Sequence, residues 1–195
     1  ISAIANDLFY GGNLIDGISE EDRSPLLDWL PTLCFYNVNG VEQIERDNSF
    51  YNMPEAHFTV KLTQALISSG IEGSAVGVIT LYKSQMCKIQ NLLCGVHTEL
   101  SKIKAVQVST IDAFQGSEKE IIRMNVALTR ARRHLLIVGN LPFLSRNRLW
   151  GRVIQHCKEW ENGLQHVSQC EQWLNDILKS YWENKKEEQQ SKKEK

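Results

Sequence analysis

Between residues 33 and 140 short apolar runs alternate with stretches of helical spacing, and this alternation constrains the fold more than any other feature. Leu33-Cys34-Phe35-Tyr36-Asn37-Val38 reads as a strand closed by the Asn39-Gly40 turn. Asn52 and Glu55, with Pro54 between them, form a helix start of capping-box type. The helix that follows carries Phe58, Leu62, Ala65, Leu66 and Ser69 on one side and stops at Gly70. Further strands are expected at Ala75–Thr80, at Ala105–Ser109, ending at Glu120-Ile121-Ile122, and at Leu135–Val138 before Gly139-Asn140. Helices are expected over Tyr82–Leu93 and Arg123–Arg133. Short runs that are apolar throughout suit strands buried on both faces, and strand–helix alternation implies a parallel sheet. The fold class is α/β.

The rest of the chain is less regular. Residues 1–32 form a lead-in, residues 33–160 the main domain, and residues 161–182 a helix packed back on it, carried by Leu164, Val167, Trp173, Leu174, Ile177, Leu178 and Tyr181. Residues 183–195 mix five Lys with four Glu and no apolar residue, the composition of a solvated or disordered tail. The opening Ile1-Ser2-Ala3-Ile4-Ala5-Asn6 lacks the basic start and apolar core of a signal peptide, and reads as a sequence met midway. No apolar run approaches the ~20 residues of a membrane span. With 42% hydrophobic and 23% charged residues, the composition is that of a globular domain. Five cysteines, odd in number and without CxxC spacing, suggest reduced thiols in an intracellular protein and no metal set. A net charge of −1 means that any nucleic-acid site must be local.

Three segments carry candidate chemistry, each expected at the carboxyl end of a strand, where open α/β sheets bind ligands. They are Gly77–Gln85, Val108–Glu118 and Arg123–Arg133. The third holds four arginines in eleven residues; this is either a solvated basic face or the source of one guanidinium aimed at an anion. In the second, Asp112 and Glu118 are either solvated loop acids or part of a ligand site, and Gly116 permits close backbone approach.

Taken in order, the segments resemble the second RecA-like domain of superfamily-one helicases, in the subgroup that includes the nonsense-mediated-decay helicase and senataxin. Gly77–Gln85 resembles "GVITPYxxQ", with Leu81 in place of the usual Pro. Ser109–Glu118 resembles "STxDxFQGxE", and Arg123–Asn140 resembles "RxNVALTRAR…IVGN". The start, with Phe9-Tyr10-Gly11-Gly12, is similar to the stretch that follows a "QYRxHP" box. Within the subgroup the chain looks most like the GRF-type zinc-finger-containing branch linked to DNA repair.

The resemblance implies a RecA-like parallel sheet of P-loop NTPase type and a set of roles. Arg130 would be the arginine finger. Gln115, Gly116 and Glu118 would line the nucleotide side of the cleft, and Thr80 and Thr110 would grip phosphates of a single strand. Arg132 and Arg133 are expected to make ordinary surface pairs. The chain has no GxxxxGK[ST] and no acidic metal box, so ATP and Mg²⁺ would be bound mainly by an upstream motor domain. The whole would be a nuclear 5′–3′ helicase acting on single-stranded nucleic acid, with DNA favoured over RNA. One departure stands out. Ile122 runs directly into Arg123, where the family has more strand and a loop, which implies an internal deletion. The alternatives are a non-catalytic form kept for binding or scaffolding, and an unrelated α/β phosphate-ester-binding domain.

Overall fold

The computed structural model describes residues 2–13, 15, 24–96, 101–114, 118–124 and 131–193. It begins with a short helix α1 (Ser2–Ala5) that runs into a π-helical turn, Asn6–Tyr10. Strand β1 (Leu33–Asn37) follows, and then the small hairpin of β2 (Gln43–Ile44) and β3 (Phe50–Tyr51). Helix α2 (Met53–Ser68) leads through a 3-10 turn to β4 (Val76–Thr80) and α3 (Lys83–Gly95). Next come β5 (Gln107–Thr110), β6 (Lys119–Met124) and β7 (Ala131–Gly139). The chain closes with α4 (Leu141–Leu144), α5 (Arg148–Lys158), β8 (Leu164–His166) and the long α6 (Val167–Lys193).

Six strands form one sheet in the order β5-β4-β6-β7-β1-β8, and every pairing is parallel. This is the sheet that the alternation implies. Its strands are apolar throughout because both faces are covered. Cys34, Tyr36, Val38, Val78, Leu136 and Val138 point to the side packed by α2, α3 and α6. Leu33, Phe35, Ile79, Leu135 and Ile137 point to the other, where Ile4, Val153, Ile154 and Cys157 meet them. Each such side chain, once fully buried, contributes roughly 1.5–3 kcal/mol. Gly77 belongs to this packing: a Cβ there would come within 2.8 Å of the Phe114 ring, which lies buried across β4.

Two expectations change. Arg123–Arg133 is not a helix where it is described: Arg123 and Met124 complete β6, and Ala131, Arg132 and Arg133 begin β7. The helical spacing rests on residues 125–130, which lie outside the described set. At the start of β7 the charges alternate across strands instead. Arg132 meets Glu118 and Glu120, and Arg133 meets Glu120, so cross-strand pairing decides the local structure. The charged residues 183–193 also differ from expectation, since they continue α6 to Lys193. Lys, Glu and Gln are good helix formers, and an apolar helix with Cys170 and Leu174 buried supplies the nucleus from which they propagate.

Candidate functional site

The amino and carboxyl edges of the sheet divide the candidate residues between them. At the carboxyl edge, Thr80 ends β4 and Thr110 ends β5, and the two are partners in register. The Ile111 N–H donates to the Thr80 carbonyl at 3.2 Å, which ties the loop after β5 to the end of β4. Thr80 is buried and its hydroxyl donates to the Tyr82 carbonyl at 3.0 Å. Its hydroxyl proton is thus spent on shaping the turn into α3. Thr110 is half-buried.

Where it is described, the third motif divides between the edges: Arg123 and Met124 end β6 at the carboxyl edge, and Ala131 begins β7 at the amino edge. Lys119 pairs with Ala131 at the amino edge, so Glu118 and the first residues of β7 sit at the opposite end of the sheet from the threonines. There Glu118 Oε2 accepts from Arg132 Nε at 3.1 Å, and Arg133 Nε lies 2.9 Å from Glu120 Oε2. Arg133 also donates to the Ser24 carbonyl at 3.2 Å. Arg132 and Arg133 are therefore surface partners of acids, as expected. Half-exposed pairs of this kind contribute little, about 0–1 kcal/mol each, so they shape the edge more than they stabilise it. Gln115, Gly116 and Arg130 lie outside the described residues. Asp112 is exposed in the 3-10 turn after β5.

A buried polar cluster links the first motif to α2. Asn52 caps α2 by accepting from the Glu55 N–H, and its NH₂ donates to Glu55 Oε1 at 3.1 Å. Gln85, on the first turn of α3, accepts from the Asn52 N–H at 2.8 Å and donates to the Asn52 carbonyl at 3.3 Å. The Asn52 half of the capping box is present, while Gln85 takes the Asn52 N–H that the Glu55 side chain takes in a full box, and so locks the cap to the motif. Ser49 adds a second tie, accepting from the Ser84 N–H at 2.9 Å. Sequence reading gave Gln85 no role and missed Ser49; the Ser49–Asn52–Glu55 spacing was the available signal.

His134, in β7, staples the lead-in to the sheet. The Leu26 N–H donates to Nε2 at 2.9 Å, so Nδ1 carries the proton and donates to the Pro31 carbonyl at 3.1 Å. Burial holds its pKa below the ordinary value, and this neutral tautomer is the one both bonds require. All five cysteines are free thiols. Burial raises the pKa of Cys34, Cys157 and Cys170, the last to about 11. Among the described residues no group of His, Cys, Asp or Glu is placed to hold a metal, and no helix is long and apolar enough to cross a membrane.

The sequence is similar to several known proteins. A family model described as an AAA domain matches residues 1–122. The 5′-3′ DNA helicase ZGRF1 of Mus musculus is 62% identical over 200 aligned positions, covering 94% of this chain and 11% of the mouse protein. Regulator of nonsense transcripts 1 of Caenorhabditis elegans is 34% identical over 83% of this chain and 18% of its own length. The ATP-dependent helicase upf1 of Schizosaccharomyces pombe is 29% identical over 82% of the chain and 20% of its own length. The chain thus spans a fifth or less of these relatives. The mouse alignment is longer than the 195 residues of the chain, so some mouse positions have no counterpart here. The chain belongs to this AAA-domain family, and within the P-loop NTPase fold it is a RecA-like helicase domain of the superfamily-one kind shared with the regulators of nonsense transcripts.

Proposed function

We propose that the chain is the second motor domain of an ATP-driven 5′–3′ DNA helicase that works in the nucleus in DNA repair. The observation that carries this reading is the division of the motifs between the two edges of one rigid sheet. Glu118 and Ala131, the first residue of β7, lie at the amino edge, and Thr110 lies at the carboxyl edge. Such a division suits a domain that meets nucleotide at one end and a single strand at the other.

In this reading Arg130 reaches the γ-phosphate held by the upstream domain, where an arginine finger is worth about 10³ to 10⁵ in rate. Gln115, Gly116 and Glu118 face the same nucleotide, and Glu118 exchanges its Arg132 partner for the ribose or the γ-phosphate network. ATP with Mg²⁺, held mainly by the upstream domain, supplies the driving chemistry. Thr110 and the backbone N–H groups at the start of α3 hold phosphates without reading sequence. Thr80 positions that grip through its bond to Tyr82. The mouse relative is a DNA helicase, which supports DNA as the strand.

The test is single-strand-stimulated ATPase of the chain joined to its upstream motor domain, beside the Arg130→Ala variant. Loss of most of the rate with ATP binding retained supports the finger. Equal rates in the two proteins sink it.

A second reading is supported by the connection between β6 and β7. Adjacent parallel strands need a crossover of a dozen or more residues, and only six separate Met124 from Ala131. The family match also stops at residue 122. Under this reading the chain is a non-catalytic form retained for binding or scaffolding. Insertion of a longer connector after Ile122 then restores ATPase to an otherwise inactive joined protein, whereas an active joined protein without the insertion excludes it.

A further inference from the structure

Where β1 and β8 stop, a polar recess of about 520 Å³ opens between α2 and the start of α6. Its volume falls within the size range of small-ligand sites. Helix α2 supplies one wall through Pro54, His57, Phe58 and Lys61, whose spacing puts them on one helix face. Asn37 and His166, partners in register across β1 and β8, line it too, as do Ser168 and Glu171 on the first turns of α6. With β7 and β6 between β1 and β4, the recess lies roughly 14 Å along the carboxyl edge from Thr80. It is separate from the proposed nucleotide side and from the proposed strand grip.

The recess offers donors that the fold itself does not use. The Leu141 N–H donates to Asn37 Oδ1 at 2.8 Å, so the Asn37 NH₂ is the end that meets His166 Nδ1 at 3.0 Å. An amide NH₂ only donates, so Nδ1 accepts and Nε2 carries the ring proton. Asn37 is buried, 7% exposed, and this fixes His166 as a donor toward any ligand. Among the described residues Lys61 and Glu171 are in no ion pair, with each other or with a third group. The ammonium of Lys61 is therefore unspent. His57 and Ser168 are exposed and add a ring and a hydroxyl.

The charges decide what fits. A nucleic-acid backbone is held by a row of cations, whereas this recess has one Lys and one opposing carboxylate, Glu171. A phosphate monoester is compact, carries a charge of about −1.5 to −2 at pH 7, and presents three acceptor oxygens. We infer that the recess binds a phosphate monoester, with its oxygens on Lys61, His57 and the Nε2–H of His166. Hydrogen bonds between charged partners of this kind are the strong ones. The carbon body of the ester lies against Pro54 and Phe58, and Glu171 disfavours any ligand with a second anionic group. The chain has no GxxxxGK[ST], so phosphate binding by it cannot be credited to a nucleotide loop.

The test titrates phenyl phosphate into the full 195-residue chain by calorimetry near neutral pH. Methyl phenyl phosphate, the diester with one charge and one free oxygen fewer, is the control. The expected result is binding at one site, about tenfold tighter for the monoester than for the diester. Lys61→Gln weakens phenyl phosphate binding about tenfold and leaves the melting temperature in place, because Lys61 makes no ion pair in the fold. Glu171→Gln, at an exposed position, tightens it several-fold by removing a like charge. A phosphoserine hexapeptide, beside its unphosphorylated form, identifies the source of the ester. Tighter binding than phenyl phosphate supports the site with a phosphoprotein as its partner, and weaker binding supports it with a small molecule. Equal affinity for monoester and diester overturns the inference. So does an unchanged affinity in both variants, or failure of phenyl phosphate and the phosphopeptide alike to bind the native chain.

Discussion

Thr80 and Thr110 face each other in register across β4 and β5, yet their hydroxyls do different work. The Thr80 hydroxyl is buried and committed to the Tyr82 carbonyl, while Thr110 lies at a half-buried position. Thr80→Val is expected to lower stability by about 1 kcal/mol, the worth of one hydrogen bond, and to change low-salt binding of a single strand less than twofold. Thr110→Val should leave stability nearly unchanged and weaken that binding several-fold. Urea denaturation and anisotropy on the same two proteins separate these effects; identical profiles for both variants would contradict the division.

Glycine is needed at position 40 by the capping cluster and not by its own backbone angle. A Cβ at Gly40 would stand 2.3 Å from Asn52 Oδ1, the atom that caps α2. Gly40→Ala therefore displaces a side chain that also anchors Gln85, and is expected to cost about 2 kcal/mol or more. At Gly95 a Cβ meets nothing within 4 Å, so Gly95→Ala should be neutral or stabilise by about 0.4–1 kcal/mol. Thermal melts of the two variants in opposite directions from the native chain are the expected outcome.

His134 makes stability depend on pH with a defined sign. Its folded pKa is lowered by burial, so below its ordinary value of 6.5 the unfolded chain takes up a proton that the fold refuses. The stability it contributes is complete above 6.5 and falls as pH drops below it, by up to about 1.4 kcal/mol per pH unit. Urea unfolding at a series of pH values from 7.5 to about 5 should show a steeper decline for the native chain than for His134→Gln. Parallel curves for the two proteins would assign the decline to other groups.

The thiols should sort by burial. Cys94 is exposed and Cys87 half-buried, while Cys34, Cys157 and Cys170 lie inside with raised pKa values, Cys157 up to about 12. Thiolate, not thiol, is the attacking species. A disulfide reagent at neutral pH is expected to modify Cys94 first, Cys87 more slowly, and the remaining three only after denaturant is added. Prompt reaction of all five in native buffer would show that the three-layer packing is not intact.

The sheet was readable where both of its faces are apolar. Leu33–Val38, Ala75–Thr80 and Leu135–Val138 have no polar side to confuse the reading, and Asn52-Glu55 announced its helix through a local capping pattern. The start of β7 was misread because Met124, Leu128 and Ala131 happen to share a helical period. What makes Ala131–Arg133 a strand is Glu118 and Glu120 on a neighbour, which no local pattern carries. The placement of Ala131 at the amino edge follows from the same register and was hidden for the same reason. A recess of about 360 Å³ at the carboxyl edge draws on residues from Gly40 to Trp150, brought together only when β4, β6, β7 and β1 lie in one sheet.

The five residues of β4 set a span of roughly 16 Å between the two edges of the sheet. Side chains close-packed on both faces give this block little internal compliance. A push applied at Glu118 is therefore delivered at Thr110 as rotation of the whole block and not as a ripple through a loop. In the proposed motor, with fuel at one end and track at the other, the sheet is a crank arm, and its throw scales with strand length.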